Sequence, residues 1–348
     1  MSLDILGRQT LARLGAHQQQ FKAAQPFSHI VIDDFLCKEF CEELLKEFPA
    51  FDQDRAGNED GNIGLKAVHQ HISRISSSYR SLDAVVQSRE FLDYMAELTS
   101  IPKLLHDPDY FGGGTHENLE GQDLDAHVDF TFHHKLRAHR RLNLIVYLNK
   151  EWETEWGGNL QFHRNPRVEP QQDEIITVAP LFNRAVVFET HNHSWHGFER
   201  ITLPDNKKSL SRKSVALYFY TKQRDVPIKP HSTIYVDRHL PPRIAAGMQL
   251  TQSDVDYLKV LLRRRDMHLE RLYGFITSQM QRIERLGGLE ALRDTAEEAQ
   301  QQRYENYGKE ELIERLTDIE TSLSWKLLSP LRDMQRVLAK VAGHFSRK

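Results

Sequence analysis

The feature that most constrains the fold is a series of short strand-like segments between about residues 110 and 222. Each is rich in β-branched or aromatic residues and ends at turn-forming residues. The predicted strands are 126–130, 142–148, 159–162, 175–178, 185–188, 195–201 and 214–220. Strands this short and this often interrupted favour an antiparallel sandwich or barrel over a parallel nucleotide-binding sheet. No glycine-rich phosphate loop precedes a helix, and residues 115–118, after the glycine run, are predicted to be a loop.

Helical patterns flank the strands on both sides. Helical periodicity precedes them in segments 1–25, 38–48 and 83–98, and the β-branched run at 29–34 is predicted to be a buried strand. Residues 52–64 are polar and glycine-rich, which predicts a mobile loop, with a lid as one alternative. From Thr251 onward, apolar residues recur at helical spacing. We therefore predict a first domain over 1–240, with its β core at about 110–222, and a helical C-terminal extension over 241–348.

Charge and cysteine content narrow the classes of partner and compartment. The 348 residues carry a formal net charge of −3, which provides no general field for a nucleic-acid backbone, so no nucleic-acid partner is expected. The only cysteines, Cys37 and Cys41, lie in a predicted helical segment and are read as ordinary core residues. They exclude a disulfide framework and favour a reducing, cytoplasmic location. No segment approaches the roughly 20 apolar residues of a membrane span.

The chemistry is concentrated in His127-Val-Asp129 and in His196 of the later Ser-Trp-His-Gly segment. Side chains at i and i+2 of a strand share a face, so His127 and Asp129 project together. One histidine from a second strand completes two imidazoles and a carboxylate, a set that leaves metal positions open and suits non-haem Fe(II). His191 and His193 are alternatives to His196, although strand alternation puts them on the opposite face. A surface ion pair is the alternative for His127 and Asp129.

At these residues the sequence resembles the 2-oxoglutarate and Fe(II)-dependent dioxygenases, and among them the prolyl-hydroxylase-like branch. The resemblance covers roughly 110–222, and the segment at 30–36 is similar to the start of that family's domain. The matching residues are Tyr110 with the glycine-rich turn, His127-Val-Asp129-Phe130, the run 143–149 with Trp152 and Trp156-Gly-Gly158, Ser194-Trp-His-Gly197, and Arg212-Lys-Ser-Val-Ala-Leu-Tyr218.

The resemblance implies a double-stranded β-helix, a cupin-type jelly roll braced by N-terminal helices. It also implies that the catalytic metal ligands are His127, Asp129 and His196. The residues that would bind 2-oxoglutarate are Arg212, which holds the distal carboxylate, together with Tyr147, Asn143 and Tyr110. A guanidinium grips a carboxylate through two parallel bonds, which agrees with this role for Arg212. A polar insert at 203–210 leaves Lys213 as the alternative base, and His133, His134 and His139 are expected at the cavity rim.

The implied reaction is hydroxylation with release of succinate and CO₂, using Fe(II), 2-oxoglutarate and O₂, with ascorbate as an accessory reductant. The intact Asp129 favours hydroxylation over halogenation. The family branch suggests a peptidyl or amino-acid side chain as substrate. A C-terminal segment, 322–332, is similar to one associated with bacterial glycosyltransferases and surface-polysaccharide enzymes, which suggests a saccharide or carrier-linked intermediate instead. A zinc hydrolase and a non-catalytic glycan-binding sandwich are alternatives from other classes.

The last segment of the chain is amphipathic and locally basic. Its apolar stripe runs from Leu312 to Val341, and lysines and arginines surround its end. Three interpretations are open: a helix packed on its own domain, a helix that pairs with a second copy or a partner, and a helix that lies on an anionic membrane surface.

Overall fold

The computed structural model describes residues 3–51, 66–240 and 243–285. The chain divides into two compact units, Met1–Leu250 and Thr251–Lys348. The predicted boundary at residue 240 stays a prediction. The predicted loop at 52–64, the stripe from Leu312 to Val341 and the segment 322–332 lie outside the described residues.

All described strands belong to the first unit. They are β1 (His29–Ile32), β2 (Lys66–His69), β3 (Leu105–His106), β4 (Gly114–Asn118), β5 (Leu124–Val128), β6 (Phe132–His133), β7 (Ala138–Tyr147), β8 (Leu160–His163), β9 (Ile175–Val178), β10 (Ala185–Glu189), β11 (Trp195–Phe198), β12 (Arg212–Thr221) and β13 (Ile234–Tyr235). The α-helices of this unit are α1 (Arg8–Ala12), α2 (Leu14–Ala23), α3 (Lys38–Lys46), α4 (Ser77–Val86) and α5 (Arg89–Thr99). Short 3-10 turns occur at Leu3–Ile5, Ile72–Arg74, Thr154–Trp156 and Asp205–Lys207.

The strands form two antiparallel sheets. The larger sheet has the order β1-β10-β7-β12-β4-β2, with β3 beside β12 and β6 beside β7; the smaller has the order β13-β5-β11-β8-β9. From β4 to β12 the chain passes repeatedly between the sheets, with β4, β7, β10 and β12 in one and β5, β8, β9 and β11 in the other. This is the topology of a jelly roll. The predicted double-stranded β-helix is therefore confirmed.

Helices cover the outer face of the larger sheet. Apolar residues of α4 and α5, such as Tyr79 and Met95, pack in one buried cluster with Leu144 of β7 and Leu217 of β12. Ser76 and Ser88 cap these two helices, because each hydroxyl accepts the amide three residues further on. The bracing by N-terminal helices follows the prediction. A second cluster, which includes Phe27, Phe162 and Phe188, lies between the sheets.

The segment 115–118 was predicted to be a loop, and that prediction is wrong. Gly114–Asn118 forms β4, which pairs with both β12 and β2. Its polar residues are accommodated in the sheet because they have partners, as when Glu117 Oε1 lies 2.9 Å from Lys213 Nζ. A Cβ atom on Gly114 would lie 2.0 Å from the carbonyl oxygen of His69, so only glycine allows β2 to approach. The strands β2, β3, β6 and β13 were also not predicted.

The second unit begins with a long helix, α6 (Gln252–Arg285), as the periodicity from Thr251 predicts. Four of its apolar residues at core spacing are exposed, namely Leu262, Leu269, Leu272 and Ile276. Over the described residues, no helix combines the length and the apolar character that crossing a membrane requires. Both cysteines are free thiols, and burial raises the pKa of Cys41, in the core, to about 12.

Candidate metal centre

Two paired strands of the smaller sheet bring the predicted ligands together. In the pairing of β11 with β5, His196 lies directly opposite His127, and Asp129 follows the end of β5. All three side chains are buried. One donor atom from each lies within 4.8 Å of the other two, which is close enough for one metal ion. The structure therefore assembles the two imidazoles and the carboxylate that the strand alternation predicted.

Backbone carbonyl groups fix the direction of both imidazoles. His127 Nδ1 lies 2.9 Å from the oxygen of Asp125, and His196 Nδ1 lies 2.8 Å from the oxygen of Ser194. A carbonyl oxygen only accepts, so each Nδ1 donates, and in the neutral form of each ring Nε2 then carries the lone pair that a metal needs. The two Nε2 atoms face Asp129, at 3.8 Å from Oδ1 for His127 and 3.6 Å from Oδ2 for His196.

The charge states also suit a divalent cation. Burial and the neighbouring His127 lower the pKa of His196 to about 3, so its imidazole is neutral near neutral pH. Burial alone would raise the pKa of Asp129, but Arg140, the two histidines and Asn143 together hold it below its usual value. Asp129 is therefore a carboxylate. Neutral nitrogen donors with one anionic oxygen are the donor set expected for non-haem Fe(II).

Asn143 is bound to the carboxylate ligand, although it was predicted to contact 2-oxoglutarate. Its Nδ2 donates to Asp129 Oδ2 at 2.8 Å, and Arg140 donates twice to its Oδ1. Arg140 is fully buried and was not predicted as a site residue. Strand alternation from Asn143 points to Arg141 instead, so the sequence pattern carries no signal for Arg140.

A second group of residues forms a cradle for an anion. Arg212, at the start of β12, is buried; its Nε donates to the carbonyl of Gly158 at 2.6 Å and its Nη2 to the hydroxyl oxygen of Tyr147 at 3.1 Å. Burial lowers the pKa of Arg212, while Tyr147 acts in the opposite direction. A Cβ atom on Gly158 would lie 3.1 Å from Arg212 Cδ, so the absence of a side chain there makes room for the arginine. Arg212 and Tyr147 are thus brought together as predicted.

This cradle fits the distal carboxylate of 2-oxoglutarate. Among the residues that the structure describes, no carboxylate pairs with Arg212, and a buried guanidinium without a counter-ion is costly. The guanidinium lies over the ring of Phe198, with its Cζ 4.3 Å from the ring centre. Phe198 follows His196 by two positions on β11, which is a rise of about 7 Å along a strand. Residues two apart share a strand face, so the cradle lies on the same face of the smaller sheet as His196.

Other predicted residues have different partners. Lys213 forms an ion pair with Glu117, and the hydroxyl of Tyr110 donates to Asp83 of α4 at 2.6 Å. A contact of Tyr110 with 2-oxoglutarate stays a prediction, although the hydroxyl is directed towards the helical layer. His191 and His193 lie in the turn before β11 and are not part of the three-residue group.

The three histidines expected at the cavity rim and the two matching tryptophans all contact other side chains. His133 is buried with its Nε2 3.5 Å from Asp107, and the ring of Phe132 contacts both His134 and His139. Trp152 and Trp156 pack against each other in a small cluster.

A short strand from beyond the jelly roll lies beside the metal ligands. In β13, Tyr235 pairs with His127 of β5, and their ring centres are 5.2 Å apart. Arg238 follows this strand and forms ion pairs with Asp125 at 2.6 Å and Asp123 at 3.2 Å. The edge of the smaller sheet next to His127 is thereby covered.

Gly197 explains how His196 comes so close to β5. The pairing of β11 with β5 shifts in register between His196 and Phe198, and a Cβ atom on Gly197 would lie 2.6 Å from the carbonyl oxygen of Leu124.

Gly197→Ala is therefore expected to lower the free energy of unfolding by roughly 1–3 kcal/mol, measured by denaturant titration. The control is Gly15→Ala in α2, where the new methyl group meets nothing within 4 Å; it should raise stability by up to about 1 kcal/mol. Equal midpoints for Gly197→Ala and the wild type would contradict the close approach.

Comparison with known families decides the class of this centre. The model described as 2OG-Fe(II) oxygenase superfamily matches residues 114–220, from the first residue of β4 to near the end of β12. Residues 114–220 belong to the 2OG-Fe(II) oxygenase superfamily. This oxygenase domain contains the three candidate ligands and the Arg212 cradle. The predicted enzyme class and the Fe(II) and 2-oxoglutarate cofactors are confirmed, and the zinc hydrolase and the non-catalytic sandwich are set aside.

Several solved structures are similar to the chain that carries this oxygenase domain. A prolyl hydroxylase from Trichoplax adhaerens, in complex with a hypoxia inducible factor peptide fragment, is 13% identical, with 62% of this chain and 94% of that chain covered and a TM-score of 0.44. Prolyl 4-hydroxylases from Phytophthora capsici show 19% identity, coverage of 88% and 94%, and a TM-score of 0.43. HygX from Streptomyces hygroscopicus, with nickel and 2-oxoglutarate bound, is 12% identical, with 62% of this chain and 87% of that chain covered and a TM-score of 0.38. A search of curated proteins found no match.

Proposed function

We propose that this oxygenase hydroxylates a peptidyl or amino-acid side chain of the prolyl type. The observation that carries the reaction is the buried carboxylate of Asp129 between two imidazoles, with Arg212 lacking a protein carboxylate among the described residues. The choice of substrate is supported by the resemblance of the motifs from Tyr110 to Tyr218 to the prolyl-hydroxylase-like branch.

Each residue has a defined role in this proposal. When bound, Fe(II) and 2-oxoglutarate supply the oxidation, in which the co-substrate and O₂ give succinate, CO₂ and one oxygen atom for the substrate. His127, Asp129 and His196 hold the metal. Arg212 binds the distal carboxylate of the co-substrate through its fork. Because the Tyr147 oxygen accepts from Arg212, its hydroxyl hydrogen is available to donate to the same carboxylate.

A saccharide or carrier-linked intermediate of surface-glycan biosynthesis is the second candidate substrate. It is supported by the similarity of residues 322–332 to a segment of bacterial glycosyltransferases and surface-polysaccharide enzymes. The metal and co-substrate chemistry is the same in both proposals, so only the oxidised product separates them.

Succinate release is expected only when both Fe(II) and 2-oxoglutarate are supplied, because the metal ligands and the Arg212 cradle bind the two components of one reaction. Pools of peptides and of sugar nucleotides are incubated with the enzyme and analysed by mass spectrometry for a gain of one oxygen atom. His196→Ala protein serves as the matched control. A peptide product supports the first proposal, and a sugar product supports the second. Succinate release that persists without iron would contradict the reaction class.

The location and the tail are separate proposals. A reducing, cytoplasmic location is supported by the two free thiols, and alkylation of both in intact cells tests it.

Pairing of the tail with a second copy or a partner, or its contact with a membrane surface, is supported only by the apolar stripe from Leu312 to Val341. Light scattering and vesicle binding of the full chain test these alternatives.

A further inference from the structure

An irregularity in β7 directs the side chain of Arg140 towards the metal centre. Along the pairing of β7 with β12, Phe219 lies opposite Leu142, but the next residue, Tyr220, lies opposite Arg140. One extra residue, Arg141, is thus accommodated in β7, which is a β-bulge. The bulge reverses the alternation of the strand. Arg140 therefore projects on the same side as Asn143, towards Asp129, whereas Arg141 forms an ion pair with Glu189.

The two oxygens of Asp129 have different surroundings. Oδ2 receives Nδ2 of Asn143 at 2.8 Å and Nη2 of Arg140 at 3.2 Å. Oδ1 lies 3.8 Å from Nε2 of His127. A carboxylate oxygen has two lone pairs in its plane, so the two donors occupy Oδ2 and leave Oδ1 for a metal.

The guanidinium of Arg140 is held in one orientation. Its Nε and Nη2 both donate to Asn143 Oδ1, at 3.0 and 2.8 Å. Its Cζ lies 3.6 Å from the ring centre of Tyr218 and 4.6 Å from that of Phe130. A planar fork with stacked faces and no solvent exposure has little freedom to leave Asp129.

We propose that Arg140 is a positioning residue that makes Asp129 a one-oxygen ligand and thereby keeps a metal position open for the two-point binding of 2-oxoglutarate. The proposal rests on the proposed function. The two oxygens of Asp129 face the two imidazoles, so a carboxylate free of Arg140 is able to offer both oxygens to one ion. A second carboxylate oxygen on the metal would compete with the co-substrate.

Because Arg140 is positively charged, its removal is expected to affect metal affinity and 2-oxoglutarate affinity differently. A cation beside the ligands repels a divalent metal, so its removal favours metal binding electrostatically, while the loss of orienting hydrogen bonds opposes it. Metal affinity is therefore expected to change little in Arg140→Gln. Affinity for 2-oxoglutarate is expected to fall, because that ligand needs the open position.

The experiment uses Co(II) as the metal probe, with visible absorption as the readout, followed by titration of 2-oxoglutarate into the Co(II)-saturated full chain. For Arg140→Gln, the Kd for Co(II) should stay within about threefold of the wild type, while the Kd for 2-oxoglutarate rises about tenfold or more. Arg141→Gln is the matched control, a buried arginine at the next position whose partner Glu189 keeps Arg224 at 3.6 Å. It should match the wild type in both constants.

Arg140→Lys covers the case in which Arg140→Gln does not fold. The lysine keeps the charge but lacks the fork, so the Kd for 2-oxoglutarate should rise by an intermediate factor. An unchanged affinity for 2-oxoglutarate in the folded variants would overturn the proposal, and so would an equal loss in Arg141→Gln. A wild type that binds neither Co(II) nor 2-oxoglutarate would instead overturn the proposed function.

Discussion

Asp129→Ala is expected to abolish succinate release from 2-oxoglutarate and to remove the stoichiometric iron site, because it deletes the only anionic ligand of the set. Two imidazoles remain, and they lack the anionic charge and the third donor that a facial site needs. Iron per chain is measured by elemental analysis after anaerobic loading, and succinate is measured under saturating co-substrate.

The substitution also breaks the buried ion pair of Asp129 with Arg140, and removing one partner of such a pair costs on the order of 3–5 kcal/mol and weakens the fold. His196→Ala avoids this cost, since the pair of Arg140 with Asp129 stays intact. It should lose activity to the same extent while unfolding near the wild-type midpoint. His191→Ala is the control, because that histidine precedes β11 and is not one of the three grouped side chains. Full turnover in either ligand variant is the result that would remove Asp129 and His196 from the metal site.

Arg212→Ala should raise the KM for 2-oxoglutarate roughly 100-fold or more and leave the dependence on iron nearly unchanged. The distal carboxylate would enter a buried cradle without its partner, a loss on the order of 3–5 kcal/mol, and each 1.4 kcal/mol is about tenfold. Arg212→Lys should recover only part of the affinity. The ammonium group keeps the charge but lacks the planar fork that binds Gly158, Tyr147 and a carboxylate at the same time.

Lys213→Ala provides the comparison for this prediction. Lys213 is next in sequence but is paired with Glu117, so its removal should leave the KM for 2-oxoglutarate close to the wild-type value. The polar insert at 203–210 made Lys213 the alternative from sequence alone. If the large defect appears in Lys213→Ala and not in Arg212→Ala, the assignment of the co-substrate base is wrong.

The ligand set could be anticipated because regular strand geometry governs it. His127 and Asp129 are two residues apart at the end of one strand, and His196 lies on its direct neighbour. Arg140 could not be anticipated, because a single extra residue in β7 reverses the alternation on which such predictions rest. Its contact with Asp129 depends on the register of β12, which only the folded sheet fixes.

The strand β4 could not be predicted from the sequence for a different reason. The segment Gly114–Asn118 is polar, and strand propensity reflects how side chains pack in context more than the backbone itself. Its partners come from distant segments, as when Ser211 donates to Glu117 Oε1 at 2.5 Å. The hydroxyl bond from Tyr110 to Asp83 is likewise a long-range contact between the sheet region and a helix. Local sequence carries no signal for such pairs.

The pairing of β13 with β5 means that the working enzyme is longer than its recognisable family segment. A fragment ending at residue 220 would contain every candidate ligand, yet it would lack Tyr235 and Arg238. The backbone groups of β5 beside His127 would then be unpaired at a sheet edge, which is a template for association with other chains. Solubility and metal-site integrity are thus tied to residues beyond the segment that matches the family, and the boundary of an expressible catalytic fragment falls after Arg238.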